Sequence, residues 1–259
     1  MRRFRVIILF FIAFGLCGCC GLTRNTITQV STLDALLAGA YDGQISCKEL
    51  LNRGDLGIGT FEGLDGEMVL LDGKVYQVKA DGKVYHPQAC LRSPFAAVVN
   101  FKPDTVFSLN EETDLEALEK IIDEKMNNKN IFCAIKIKGS FARMKTRSVP
   151  CQHKPYPPLT EVTKSQPVFD LQAVSGTIVG FRLPDYIKGI NMPGYHFHFI
   201  SDGAVSGGHV LGLELNNADV FIDNCNKLFL IVPPGKSLFS QVDLTQDRSK
   251  EMEAAEKSK

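Results

Sequence analysis

The chain contains no run of ~20 apolar residues, the length a membrane-spanning helix needs; its long apolar stretch, Val6 to Leu16, is too short. It carries no excess charge, with 29 Lys+Arg against 29 Asp+Glu. That balance argues against a nucleic-acid partner, which calls for a clustered basic face. Beyond residue 20 there is no C-x-x-C pair, so a cysteine zinc site is not indicated. There is no glycine-rich phosphate loop and no nucleophile elbow, and neither thiamine nor flavin is indicated as a cofactor. Histidine is scarce, with five in 259 residues. Three of the five nevertheless fall between His196 and His209.

The N-terminus has the order of an export signal: Arg2, Arg3 and Arg5, then the apolar run, then small residues. "LCGC", Leu16 to Cys19, resembles a bacterial lipobox, in which Cys19 would be acylated and become the mature N-terminus. Acyl chains hold a protein at a membrane surface without a spanning helix. Residues 1–19 are therefore expected to be an export and lipoprotein signal. The protein is expected on the periplasmic or extracellular face of a membrane, a plain secreted protein being the alternative. Removing residues 1–18 takes away three arginines and no acid, leaving 26 basic against 29 acidic residues and a net charge of −3. About 240 residues remain, enough for one large domain or two small ones. Five cysteines lie downstream of the signal, Cys47, Cys90, Cys133, Cys151 and Cys225. Export would permit disulfides among them, but an odd number leaves one unpaired unless Cys20 joins in.

Capping-box patterns begin three helices: Ser31 with Asp34, Ser46 with Glu49, and Thr113 with Glu116. The last opens the clearest helix, with Leu115, Leu118, Ile122 and Met126 near one face. Asp72-Gly73 and Asp81-Gly82 between apolar runs predict hairpins of a meander, with "PFAAVVNFK" as a further strand. "IFCAIKIKG" and "SFARMKTRSV" read as two strands paired about Gly139-Ser140. The proline-rich "PCQHKPYPPL" cannot continue a sheet and marks an internal boundary. Beyond it the chain is strand-like until a polar, charged tail whose composition predicts a frayed or solvated segment.

In "GYHFHF" the strand period of two aims His196 and His198 at one face, with Tyr195, Phe197 and Phe199 on the other. A glycine-rich turn follows, and His209 opens the returning strand. Three imidazoles on neighbouring strands make a workable metal site with one position open, the pattern of catalytic zinc. Buried, hydrogen-bonded histidines are the other reading of the same pattern. His86 and His153 lie in polar or proline-flanked loops.

Several long segments in order, "GIGTFEGLDGEMVLLDGKVYQV", "PFAAVVNFKP", "KTRSVPCQHKPYPPLTEV", "VSGTIVGFRLPDYIKGINMPG" and "NMPGYHFHFISDGAVSGGHVLGLEL", resemble the bacterial alpha-acetolactate decarboxylase family. The resemblance runs from about Ser31 to the tail. It implies a Zn2+ cofactor held by His196, His198 and His209, and loss of CO2 from the small-molecule substrate 2-acetolactate to give acetoin by way of a metal-stabilised enediolate. It implies that Arg147 holds the substrate carboxylate. Arg143 and Lys145 share its strand parity, and spacing alone does not choose among the three. It implies that Glu67 lies beside the zinc to handle protons or orient a metal-bound group, where pattern alone reads a turn or strand-edge acid. Thr60 would add a hydroxyl. A tail glutamate would reach the site, with Glu256 aligning best, then Glu253, and Glu251 also in range.

The implied fold is α+β and strand-rich. It has two domains: a mixed-sheet domain at 20–165, from which Arg147 and Glu67 approach, and a smaller β-rich domain at 166–242 carrying the metal. The tail at 243–259 would close the site. Partners are the substrate, a membrane where Cys19 is acylated, and a second copy in a homodimer. Two rival functions stay open. One is a zinc hydrolase with Glu67 as general base; the other is a non-catalytic metal-binding lipoprotein. Metabolic labelling with a fatty acid tests the anchor. The wild-type protein should be labelled and Cys19→Ala should not; equal labelling would rule out acylation at Cys19.

Overall fold

The computed structural model describes residues 24–126 and 128–256. The expected signal and Cys19 lie outside the described residues. Along the chain come β1 (Thr26–Val30), α1 (Leu33–Leu37), β2 (Ile45–Ser46), α2 (Cys47–Leu51), β3 (Leu56–Thr60), β4 (Glu67–Leu71), β5 (Lys74–Val78) and β6 (Val84–Tyr85). Then follow β7 (Arg92–Ser93), β8 (Ala96–Val99), β9 (Thr105–Leu109), β10 (Thr113–Asp114), α3 (Leu115–Lys125) and the 16-residue β11 (Phe132–Arg147). The remainder is α4 (Leu159–Val162), β12 (Val168–Leu183), β13 (Gly194–Ser201), β14 (Gly207–Cys225), β15 (Lys227–Ile231) and α5 (Ser249–Glu256). Among the described residues no helix is long and apolar enough to cross a membrane.

A seven-stranded mixed sheet has the order β15-β1-β8-β3-β4-β5-β6. Its β3-β4-β5-β6 portion is the meander turned by the two Asp-Gly pairs. β8 does not extend the meander but returns to pair with β3 and β1. β1 and β15 run parallel and join the two ends of the chain. All five residues of β1 are buried, including Gln29, whose amide donates to the Ser31 and Ile190 carbonyls. The second sheet runs β10-β14-β11-β12-β13, with β9 also on β14. β13 pairs again with the start of β14, so the sheet curls back on itself.

The two sheets pack through Ile58, Val69 and Val99 on one side and Val179, Phe181 and Ile200 on the other. The opposite face of the curled sheet, with Ile135, Phe141, Phe197 and Phe199, is covered by Leu118 and Ile122 of α3. A third cluster joins α1, α4 and α5 through Leu33, Leu159 and Ala255.

Several local expectations shift. Ser46 and Glu49 form the capping box as read. At α1 the cap is Thr32, whose hydroxyl accepts from Ala35 N, while Ser31 one residue earlier donates its N–H to the Ile231 carbonyl of the sheet. At α3 it is Asp114, the second residue of β10, whose carboxylate accepts from Ala117 N. The predicted hairpin at Gly139-Ser140 does not form. β11 continues through as one strand, with Gly139 opposite Gly176 on one side and Ala218 on the other and a register shift against β14 just after Ser140. A Cβ there would lie 2.3 Å from the Asn217 carbonyl oxygen, so the glycine serves close strand approach and not a turn. The proline-rich segment leaves the curled sheet and re-enters it. A boundary at 165/166 falls inside that sheet, with β11 before it and β12 to β14 after it, while β15 returns to the seven-stranded sheet. The five downstream cysteines are free thiols.

Gly139→Ala should destabilise the fold by about 1–3 kcal/mol, the usual cost of overpacking. Gly212→Ala, where nothing lies within 4 Å of the added carbon, should stay within about 0.5 kcal/mol. Urea unfolding of the two variants checks the difference.

Candidate metal and active site

The curl of the second sheet builds the site. β13 crosses β14 with His198 opposite His209, and β14 in turn sets His209 opposite Arg147 on β11. Gly207 and Gly208 make this crossing close. A Cβ on Gly207 would lie 2.3 Å from the Phe199 carbonyl oxygen, and one on Gly208 2.4 Å from that of Arg147. Gly208 also has φ +128, a conformation glycine adopts at little cost.

His196, His198 and His209 are all buried, and each offers a ring nitrogen within 4.8 Å of the others. His198 Nδ1 lies 2.8 Å from the Met68 carbonyl oxygen. A carbonyl only accepts, so Nδ1 carries the proton and Nε2 faces the site. His209 Nε2 lies 3.3 Å from the Glu256 carbonyl oxygen, which leaves Nδ1 facing inward. Burial pushes His196 and His198 down to about 3, with the Arg147 charge adding for His196 and His196 itself for His198. Burial and then Arg147 push His209 well below its ordinary value. All three rings are neutral at neutral pH and keep the lone pair that a metal needs.

Two carboxylates face them. Glu67 Oε2, from the first residue of β4, is 3.6 Å from His198 Nε2. Glu256 Oε2, from the last residue of α5, is 3.7 Å from His209 Nδ1 and 3.9 Å from His196 Nε2. These separations are too long for good hydrogen bonds. They are close to the roughly 3.4 Å between two donors that share one tetrahedral ion at ~2.1 Å. The donor set therefore fits a divalent metal ion.

Arg147 is buried, and its Nη2 donates to Glu256 Oε2 at 2.9 Å while Nη1 donates to Gln166 Oε1 at 2.6 Å. Its Nε has no hydrogen-bond partner among the described residues. Glu67 is pushed up to about 7, mainly by burial and further by Glu256, against the pull of Arg147.

The expected residues thus converge. Arg147 stands on the same sheet as the histidines, whereas Glu67 and Thr60 come from the seven-stranded sheet. Along β11, Arg143 is exposed and bidentate to Asp170, its Nε donating to Oδ1 and Nη2 to Oδ2, Lys145 is half-buried, and only Arg147 reaches the covered end. Thr60 lines the cavity, but its hydroxyl donates to the Gly66 carbonyl oxygen at 2.7 Å. In the tail, Glu251 pairs with Arg248 and Glu253 is exposed, so Glu256 is the glutamate that enters. The tail is helical and packed there, contrary to its composition. His86 and His153 are exposed. Sequence reasoning missed Gln166 and the apolar wall of Leu33, Leu36, Leu64, Phe95, Val149 and Leu159. No local motif marks them.

Residues 27–246 match the family model described as "Alpha-acetolactate decarboxylase". The chain belongs to the alpha-acetolactate decarboxylase family. It is 45% identical over 233 residues to the alpha-acetolactate decarboxylase of Methanosarcina mazei, covering 90% of this chain and 81% of that protein. It is 40% identical to that of Bacillus subtilis strain 168, covering 90% and 92%. The crystal structure of the Bacillus subtilis strain 168 protein superposes with a TM-score of 0.88 over 90% of this chain and 100% of that one. Glu256 lies beyond the residues that the family model matches. Its place in the site rests on α5 packing against α1 and α4 in this structure.

The Arg147–Glu256 contact ties α5 to the sheet. A hydrogen bond to a charged group is worth about 1.5–3 kcal/mol, so Glu256→Ala should speed amide exchange in Met252–Ala255 by roughly tenfold or more. Exchange in β12 should not change. Hydrogen-exchange mass spectrometry reads both.

Proposed function

We propose that the protein decarboxylates 2-acetolactate to acetoin and CO2 with a Zn2+ ion held by His196, His198 and His209. The observation that carries this reading is a buried guanidinium beside three neutral imidazoles and two carboxylates, in a cavity whose remaining wall is mostly leucine, phenylalanine and valine. That combination suits a small carboxylate bearing methyl groups and oxygen donors. When bound, the metal supplies Lewis acidity toward the charge that develops on the substrate ketone as CO2 leaves.

The chain's own groups divide the remaining work. Arg147 receives the carboxylate through its planar fork, which requires Glu256 Oε2 to move off Nη2. The space left with Glu256 in place is about 30 Å³, room for only a water or two. Glu67 Oε2 faces the cavity from the opposite sheet, so a proton can be delivered from that side after CO2 departs. Leu33, Leu36 and Leu159 exclude water, which strengthens every charge interaction inside. α5 closes the cavity over the seated substrate, with the Glu256 carboxylate displaced from Arg147. Acylation at Cys19 would hold this activity at a membrane surface.

Protein lacking residues 1–19 should bind about one zinc per chain and form acetoin from acetolactate, reversibly on chelation and zinc return. His198→Ala should lose metal and activity together. Arg147→Ala should keep metal and lose roughly 10²–10³ in turnover, the usual cost of removing a preorganised charge partner. Normal turnover in the arginine variant would overturn the carboxylate assignment, and bound zinc without acetoin would favour the hydrolase or the non-catalytic metal-binding lipoprotein.

A further inference from the structure

Arg147 is held by two acceptors of different kinds. Glu256 is charged and sits on a C-terminal helix. Gln166 is neutral and sits two residues before Val168, the register partner of Arg147. The segment bearing Gln166 is fixed by backbone bonds from Ser148 N to the Pro167 carbonyl and from Gln166 N to the Thr163 carbonyl. Its side-chain oxygen accepts from Arg147 Nη1 at 2.6 Å. It is thus the acceptor that stays on Arg147 whenever Glu256 moves away.

We propose that Gln166 is a positioning residue that orients the Arg147 guanidinium through a neutral acceptor, so that its positive charge stays free for the carboxylate of the substrate. This rests on the decarboxylase reading above. The physical reason lies in the alternatives. A buried arginine side chain needs acceptors for its donors, and a carboxylate is the commoner partner. A carboxylate at position 166 would hold the fork equally well but cancel its charge. With Glu256 also present, Arg147 would then face two carboxylates, more negative charge than its single guanidinium can balance. An amide satisfies the donor and leaves the field intact, at a point where low polarity makes each charge count.

Gln166→Glu keeps the size and the hydrogen bond and changes only the charge. Gln166→Leu keeps approximate size and removes the acceptor. On zinc-loaded protein, calorimetry should be run with two probes, 2-hydroxy-2-methylpropanoate, which carries a carboxylate but no ketone to drive loss of CO2, and acetoin, which has no carboxylate. Gln166→Glu should weaken binding of the carboxylate probe on the order of 10–100-fold and leave acetoin binding within about twofold. Gln166→Leu should weaken the carboxylate probe by a smaller factor, and the KM for acetolactate should follow the same order. Metal content and melting temperature should match the wild type. Unchanged carboxylate binding in Gln166→Glu, equal weakening of both probes, or a larger loss in Gln166→Leu than in Gln166→Glu would each overturn the proposal while wild-type acetoin formation stands. A wild-type protein that binds the carboxylate probe no better than its Arg147→Ala variant and forms no acetoin would overturn the decarboxylase reading, and this proposal with it.

Discussion

The site depends on one crossing of strands. Where β13 meets the start of β14, His198 stands opposite His209, and the same turn of β14 sets His209 against Arg147. Three strands converge there at backbone contact distance, and Gly207 and Gly208 are the residues that let them. The rings are then too deep to stay charged, and their outer nitrogens are committed where the Met68 and Glu256 carbonyls accept them. Ring spacing follows from how this sheet closes, and the orientation of His198 and His209 from a carbonyl of the other sheet and one of α5. A loop bearing three histidines would fix none of them so tightly.

Burying Arg147 beside three imidazoles sets the electrostatic balance. An isolated buried cation is costly, and the fold offsets that cost with a carboxylate and an amide at hydrogen-bond distance. Neither contact closes the site permanently, because Glu256 belongs to a short C-terminal helix whose hold on the rest includes the contact with Arg147 itself. Glu67 approaches from the other sheet, and its desolvated carboxyl carries a pKa far above that of a surface glutamate. The packing of two sheets therefore does chemical work, placing an acid opposite a cation across a narrow cavity.

Much of the site was legible because its signals are periodic or local. His-x-His in an alternating strand puts both rings on one face whatever the rest of the chain does. Asp72-Gly73 and Asp81-Gly82 make their hairpins because the turn conformation is set within a few residues. Gly139-Ser140 misled for a related reason. A glycine that permits a turn and one that permits close strand approach look identical until the neighbouring strands are known. Gln166 was invisible, since an amide beside a proline carries no signal of the arginine 19 residues away.

The sequence by itself determined the family, the three histidines and their common face, the main hairpins, and Arg147, Glu67 and Glu256 as the residues to watch. Tertiary structure alone decided that Arg147 shares the histidines' sheet, that α5 packs instead of fraying, that Thr60 spends its hydroxyl on Gly66, and that Gln166 holds the guanidinium. The dividing line is the range of the interaction. Dihedral preference and strand period act within a few residues and leave a pattern in the chain, whereas burial, charge partnership and the closing of a sheet depend on residues far apart in sequence.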